Sequence, residues 1–131
     1  EKFLEEVEFF SIGTNDLTQY TMAADRMGSA LAQLTDPWQP GVLRLIANTA
    51  AAGQKAGKPV GVCGEAAADP LLACILIGLG ITSLSMATGA IPGVGVQLGK
   101  VTMQQCQDAA QQVIQSRNSR DAKDLAAKLL G

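Results

Sequence analysis

The stretch Pro59 to Pro70, PVGVCGEAAADP, decides how the chain is read. Pro59-Val60-Gly61-Val62-Cys63 predicts a short apolar strand bounded by Pro and Gly. Gly64-Glu65 turns the chain away from it. Asp69-Pro70 then opens a helix, with Asp69 at the N-cap and Pro70 at the first helical position. The unit is strand, turn, helix, with a cysteine at the carboxyl end of the strand.

The same grammar repeats outward. Val7 to Ile12 reads as a buried strand ending at Gly13. Thr14-Asn15-Asp16 supplies cap-type residues for a helix over Leu17 to Ala24. Asp25 to Pro40, with Gly28, Pro37 and Pro40, reads mostly as loop. Val42 to Ala56 reads as a helix whose face carries Val42, Leu45, Ile46 and Thr49, and Gly57-Lys58-Pro59 stops it. The helix opened by Asp69 runs to about Leu79. Ile81 to Met86 is a third strand, and a flexible glycine-rich loop follows over 87–99. Thr102 to Gln115 is an amphipathic helix and Ser119 to Leu130 another. Alternating strands and helices without hairpin signals predict an α/β fold of parallel βα units. Three such units are too few to close a barrel. The chain also begins at Glu1 without an initiator Met, so a piece of a longer polypeptide is expected. Two open strand edges would favour self-association of such a piece.

Composition narrows the function classes. The 131 residues are 47% hydrophobic and 17% charged, enough apolar material for one domain or part of one. The net charge of -2 gives no electrostatic case for nucleic acid. The longest apolar run, Leu71 to about Ile81, falls short of the roughly 20 residues a membrane span needs. No apolar leader follows Glu1. Cys63, Cys74 and Cys106 are odd in number and far apart, which argues against a disulfide framework and for a reducing, cytoplasmic setting. There are 0 histidines, so any histidine chemistry must come from elsewhere.

In parallel α/β folds, reactive groups gather at the carboxyl ends of strands. Here those ends are Gly13-Thr14-Asn15-Asp16, Cys63-Gly64-Glu65 and Ser85-Met86-Ala87-Thr88. Adjacent strands would bring an amide, carboxylates and a thiol together. Asp16 suits a hard cation such as Mg²⁺ or a helix cap, the cap being the commoner use of Asp at such a place. Asn15 suits either bracing of the turn or holding of a ligand. Cys63 is either a small core residue or a reagent, and its strand-end place between Gly61 and Gly64 favours the reagent. Cys74 and Cys106 lie inside apolar helical patterns and read as core. Arg26 offers a clamp for phosphate or carboxylate, or a solvated surface charge. Gly93 to Lys100 imitates a phosphate loop, but Val94 and Val101 occupy positions such a loop reserves for Gly and for Ser or Thr.

Two long motifs make the chain recognisable. FFSIGTNDLTQYTMAADR (Phe9 to Arg26) and GKPVGVCGEAAADP (Gly57 to Pro70) resemble segments of enzyme I of the bacterial sugar phosphotransferase system, the phosphoenolpyruvate–protein phosphotransferase family. LIGLGITSLSM (Leu76 to Met86) resembles that family's next strand. The resemblance implies that residues 1–131 are a C-terminal fragment, about three βα units, of a phosphoenolpyruvate-binding (β/α)8 TIM barrel. It implies Mg²⁺ as cofactor, phosphoenolpyruvate and pyruvate as ligands, and a homodimer. It also implies a phosphocarrier protein served through a histidine domain that this chain lacks. By position, Asp16 resembles the metal ligand, Asn15 and Arg26 the substrate-binding groups, and Cys63 the acid that protonates the enolate of pyruvate. On this reading the fragment alone is inactive. Pyruvate phosphate dikinase and phosphoenolpyruvate synthase share the barrel and are the neighbouring alternatives. A non-catalytic dimerisation fragment is the alternative from another class. After Arg26 the family pattern reads Gly-Asn, where this chain has Met27-Gly28. Glu65 has no assigned role.

Overall fold

Three parallel strands, in the order β1-β2-β3, carry the fold in a computed structural model that describes residues 2–25, 27 and 33–131. β1 is Phe10–Gly13, β2 is Val60–Cys63 and β3 is Ser83–Ser85. Seven α-helices accompany them among the described residues: α1 Thr14–Met22, α2 Pro40–Ala56, α3 Glu65–Ala68, α4 Pro70–Gly78, α5 Ile91–Leu98, α6 Met103–Val113 and α7 Ser119–Leu130. The α/β reading holds, with parallel pairing throughout.

β1 begins at Phe10 rather than Val7, because its neighbour sets its length. The Phe10 N–H donates to the Pro59 carbonyl at 3.0 Å, and Pro59 has no N–H to return. β1 is also less buried than expected: Phe10 and Ile12 are half-buried while Ser11 and Gly13 are exposed. Only β2 has a strand on each side among the described residues, and its Val60, Gly61 and Val62 are buried. β3 is shorter than the predicted Ile81 to Met86, because Thr82 turns its hydroxyl onto the Val60 backbone instead of extending the ladder.

α1 starts three residues earlier than expected, directly at Thr14, with Gly13 as a cap that has no side chain to offer. Thr14, Asn15 and Asp16 therefore form the first turn rather than the cap. Asp16 is favoured there by the helix dipole. In α2 the buried face is Val42, Leu43, Ile46, Ala50 and Gly53. Leu45, expected on that face, is 42% exposed, and Leu43 takes its place.

α4 is the helix around which the core is built. Leu72, Ala73, Cys74, Ile75 and Leu76 are all fully buried, and α5, α6 and α7 pack against it. Gly78 permits the closest of these approaches: a Cβ there would stand 2.1 Å from the Cys106 carbonyl oxygen on α6. The N-cap expected at the start of α4 is present. Oδ1 of Asp69 accepts from the N–H groups of Leu71 and Leu72 at 3.0 and 3.2 Å. Thr102 and Gln105 form a reciprocal capping box at α6, and Asn118 caps α7.

The flexible loop expected over 87–99 is not a loop. Thr88–Ala90 is a 3-10 turn and Ile91–Leu98 is α5. Pro92 fits its first turn, and Val94 is buried. Gly93 and Gly95 each cost about 1 kcal/mol in a helix, and burial of Val94 with docking on α4 offsets that. Gln97 clamps this helix to the last one, donating to the Leu130 carbonyl at 2.6 Å.

Candidate active site at the strand ends

The ladder places Gly13, Cys63 and Ser85 side by side at the carboxyl ends of the three strands. Cys63 is half-buried, whereas Cys74 and Cys106 are buried, and all three are free thiols. Its Sγ lies 3.6 Å from the Ile12 carbonyl oxygen, to which the thiol donates. The next residue, Gly64, has φ 102° and ψ -158°, a region essentially restricted to glycine. The Gly64 N–H donates to the Ser85 carbonyl at 3.1 Å. The glycine beside Cys63 thus makes the abrupt exit from β2 that leaves the thiol at the rim.

The first turn of α1 faces this exit. The Asn15 Nδ2 stands 3.9 Å from where a Cβ on Gly64 would be, and the Thr14 Oγ1 stands 3.7 Å from the same point. Asn15, Gln19, Thr35 and Glu65 line a crevice of about 70 Å³. Asp16 is exposed, and its Oδ2 lies 3.8 Å from the Cβ position of Gly13, over the end of β1. It makes no hydrogen bond among the described residues, so the cap role open to it from sequence is not used. Asp16 opens instead onto a groove shared with Gln19, Tyr20, Ala23, Ala24 and Asp25. Asn15 and Cys63 are therefore brought together around Gly64, and Asp16 sits on the next residue of the same turn. Arg26 lies outside the described residues.

A hard cation fits Asp16 in kind: an exposed carboxylate whose oxygens are not engaged among the described residues. Among the described residues no three Cys, Asp or Glu side chains cluster as a metal site. Cys74 and Cys106 behave as core. Burial, with the neighbouring Cys106 adding to it, pushes the Cys74 thiol up to about 11, and burial raises Cys106 also. Such thiols stay protonated and unreactive near neutrality.

Two features were missed in the sequence. Thr14 is fully buried and donates from Oγ1 to the Cys63 carbonyl at 3.3 Å, although its residue type suggested a cap. Trp38 donates from Nε1 to Asp69 Oδ2 at 3.1 Å, so the cap of α4 also pins the segment before α2. A lone buried-type Trp in a Pro-flanked segment, Asp36-Pro37-Trp38-Gln39-Pro40, was the available signal for the second.

Residues 1–103 match the family model of the PEP-utilising enzymes, PEP-binding domain. The chain belongs to that family. It is 53% identical over 127 residues to the phosphoenolpyruvate-protein phosphotransferase of Streptomyces coelicolor, covering 97% of this chain and 23% of that protein. It is 44% identical over 114 residues to the enzyme of the same name from Bacillus subtilis, covering 87% of this chain and 20% of the relative. The Geobacillus stearothermophilus enzyme of that name is 48% identical over 105 residues, covering 80% and 18%. The chain thus spans about a fifth to a quarter of the length of these relatives. No helix among the described residues is long and apolar enough to cross a membrane.

Proposed function

We propose that residues 1–131 are the C-terminal fragment of a phosphoenolpyruvate-binding (β/α)8 barrel, within an enzyme that transfers the phosphoryl group of phosphoenolpyruvate to a protein histidine. The observation that carries this reading is the half-buried Cys63 held at a strand end beside Asn15, while the two other thiols are sealed in the core. Family membership and the names of the relatives support it. In the whole protein the histidine passes the phosphoryl group to a phosphocarrier protein for sugar uptake. A cytoplasmic homodimer belongs to the same reading, and the isolated chain is inactive because it lacks the histidine and much of the substrate shell.

The chemistry assigns each group a task. The bond between phosphorus and the enol oxygen breaks, the oxygen keeps the electron pair, and the phosphorus bonds to the histidine nitrogen. The enolate left behind needs a proton on its methylene carbon. Cys63 turns its S–H from the Ile12 carbonyl to that carbon and recovers a proton from solvent. Asn15 and Arg26 hold the substrate, the former from the turn facing Gly64. Asp16 would hold Mg²⁺, which when bound supplies positive charge beside the phosphate and enol oxygens. Its remaining ligands would be substrate oxygens, water and residues outside this chain.

Cys63→Ala in the full-length protein tests the assignment. Pyruvate formation is expected to fall by about 10²–10⁴-fold, the usual worth of a positioned acid. A variant forming pyruvate at the parent rate would remove Cys63 from the mechanism.

A further inference from the structure

The catalytic assignment leaves one buried polar pair unexplained. Thr14 and Thr18 are the buried polar residues of the described chain, at 0% and 1% exposure. Thr18 donates to the Thr14 carbonyl at 2.7 Å, within α1. The Thr14 hydroxyl leaves the helix altogether and donates across the sheet to the Cys63 carbonyl at 3.3 Å. A buried hydroxyl requires a partner, and here the partner is the backbone of the residue proposed as the acid.

That bond completes a clamp. The peptide joining Cys63 to Gly64 is gripped at its N–H by the Ser85 carbonyl, from β3, and at its C=O by Thr14, from α1. The peptide lies immediately before the glycine-only conformation of Gly64, where the strand would otherwise fray. Thr14 is also the first residue of α1, followed by Asn15 and Asp16. A single hydroxyl therefore ties the strand end that bears the thiol to the helix turn that bears the amide and the carboxylate.

We infer that Thr14 is a positioning residue: its hydroxyl fixes the Cys63 backbone against the first turn of α1 and so aligns the thiol with a substrate held there by Asn15. This rests on the assignment of Cys63 as the carbon acid. Thr14 touches no substrate. It acts on proton transfer, where misalignment of a donor is costly, rather than on binding.

The test uses the full-length phosphotransferase with Mg²⁺ and pyruvate in deuterated water, followed by NMR. A methyl C–H bond breaks, its proton passes to the Cys63 thiolate, and the enolate takes a deuteron from the exchanged thiol. Thr14→Val keeps the shape and removes the donor. It is expected to lower methyl exchange and kcat together by about tenfold, with KM for phosphoenolpyruvate within about twofold. Thr14→Ser, which restores the hydroxyl, is expected to restore both. Cys63→Ala is run beside them and should abolish exchange. Exchange at the parent rate in Thr14→Val, with exchange lost in Cys63→Ala, overturns the positioning role alone. Exchange at the parent rate in Cys63→Ala overturns both assignments. A change confined to KM, or an equal loss in Thr14→Ser, also overturns the role, because the hydroxyl would then not be acting on the thiol. Should Thr14→Val fail to fold, Thr14→Ala removes the same donor with less bulk and is read in the same way.

Discussion

The two ends of the one small sheet are built to opposite purposes. Where the strands begin, polar groups are consumed by the protein itself. Nζ of Lys58 donates to the Leu4 carbonyl and, at 2.6 Å, to the Val7 carbonyl. The Thr82 hydroxyl accepts from the Val60 N–H and donates to the Val60 carbonyl, both at 3.1 Å. A crevice lies at this end too, lined by Gln54, Lys58, Pro59 and Thr82 among others, but its lysine is already committed to backbone carbonyls. Where the strands finish, Asp16 is exposed without a hydrogen bond among the described residues, and Cys63 is only half-covered. The concavity at the start of the strands is a seam. The rim at their finish is where the proposed function puts the ligand. Hydrogen-bond occupancy distinguishes the two ends better than the size of a hollow does.

This contrast can be broken deliberately. Gly64→Ala attacks the finishing end, where a Cβ has space but φ 102° and ψ -158° are strained for any L side chain. A loss of about 1–3 kcal/mol in urea unfolding is expected, with a clear fall in turnover, because the Cys63 exit must re-form. Unchanged turnover would mean that the turn does not set the thiol. Lys58→Met attacks the starting end. It should destabilise by about 1–2 kcal/mol through two lost charge-assisted bonds, while the turnover of the folded full-length protein stays at the parent value. A fall in turnover there would erase the distinction between the ends. Thr82→Val is the mildest probe, expected to cost about 1 kcal/mol in unfolding with no kinetic effect. A kinetic change would show that the two ends communicate along β2.

The elements legible from sequence are those whose signal is local. Asp69 and Pro70 mark the start of α4 and Gly57 the end of α2, because a cap is written within a few residues of where it acts. α5 was not legible. Its glycines announce a loop, and the packing on α4 that overrides them comes from residues distant in the chain. The faces of α2 were half legible: Val42 and Ile46 are buried as expected, but an exposed Leu45 reflects neighbours that periodicity does not encode. In the site, Cys63 and Asn15 could be nominated by their strand-end position. Thr14 could not, since its partner is the Cys63 carbonyl, a backbone atom 49 residues away with no mark in the sequence.

The sequence by itself determined the alternation of strands and helices and the family, through motifs at Phe9 to Arg26 and Gly57 to Pro70, and it nominated the strand ends for the proposed chemistry. Those are properties of short segments, set by backbone preferences and by residue types in a fixed order. Only the tertiary structure decided that Asn15, rather than Asp16, faces the turn of Cys63, that Thr14 bonds to the Cys63 carbonyl, and that a glycine-rich stretch is a helix. Each of these depends on which distant atoms come within hydrogen-bond or packing range once β1 and β2 pair in register.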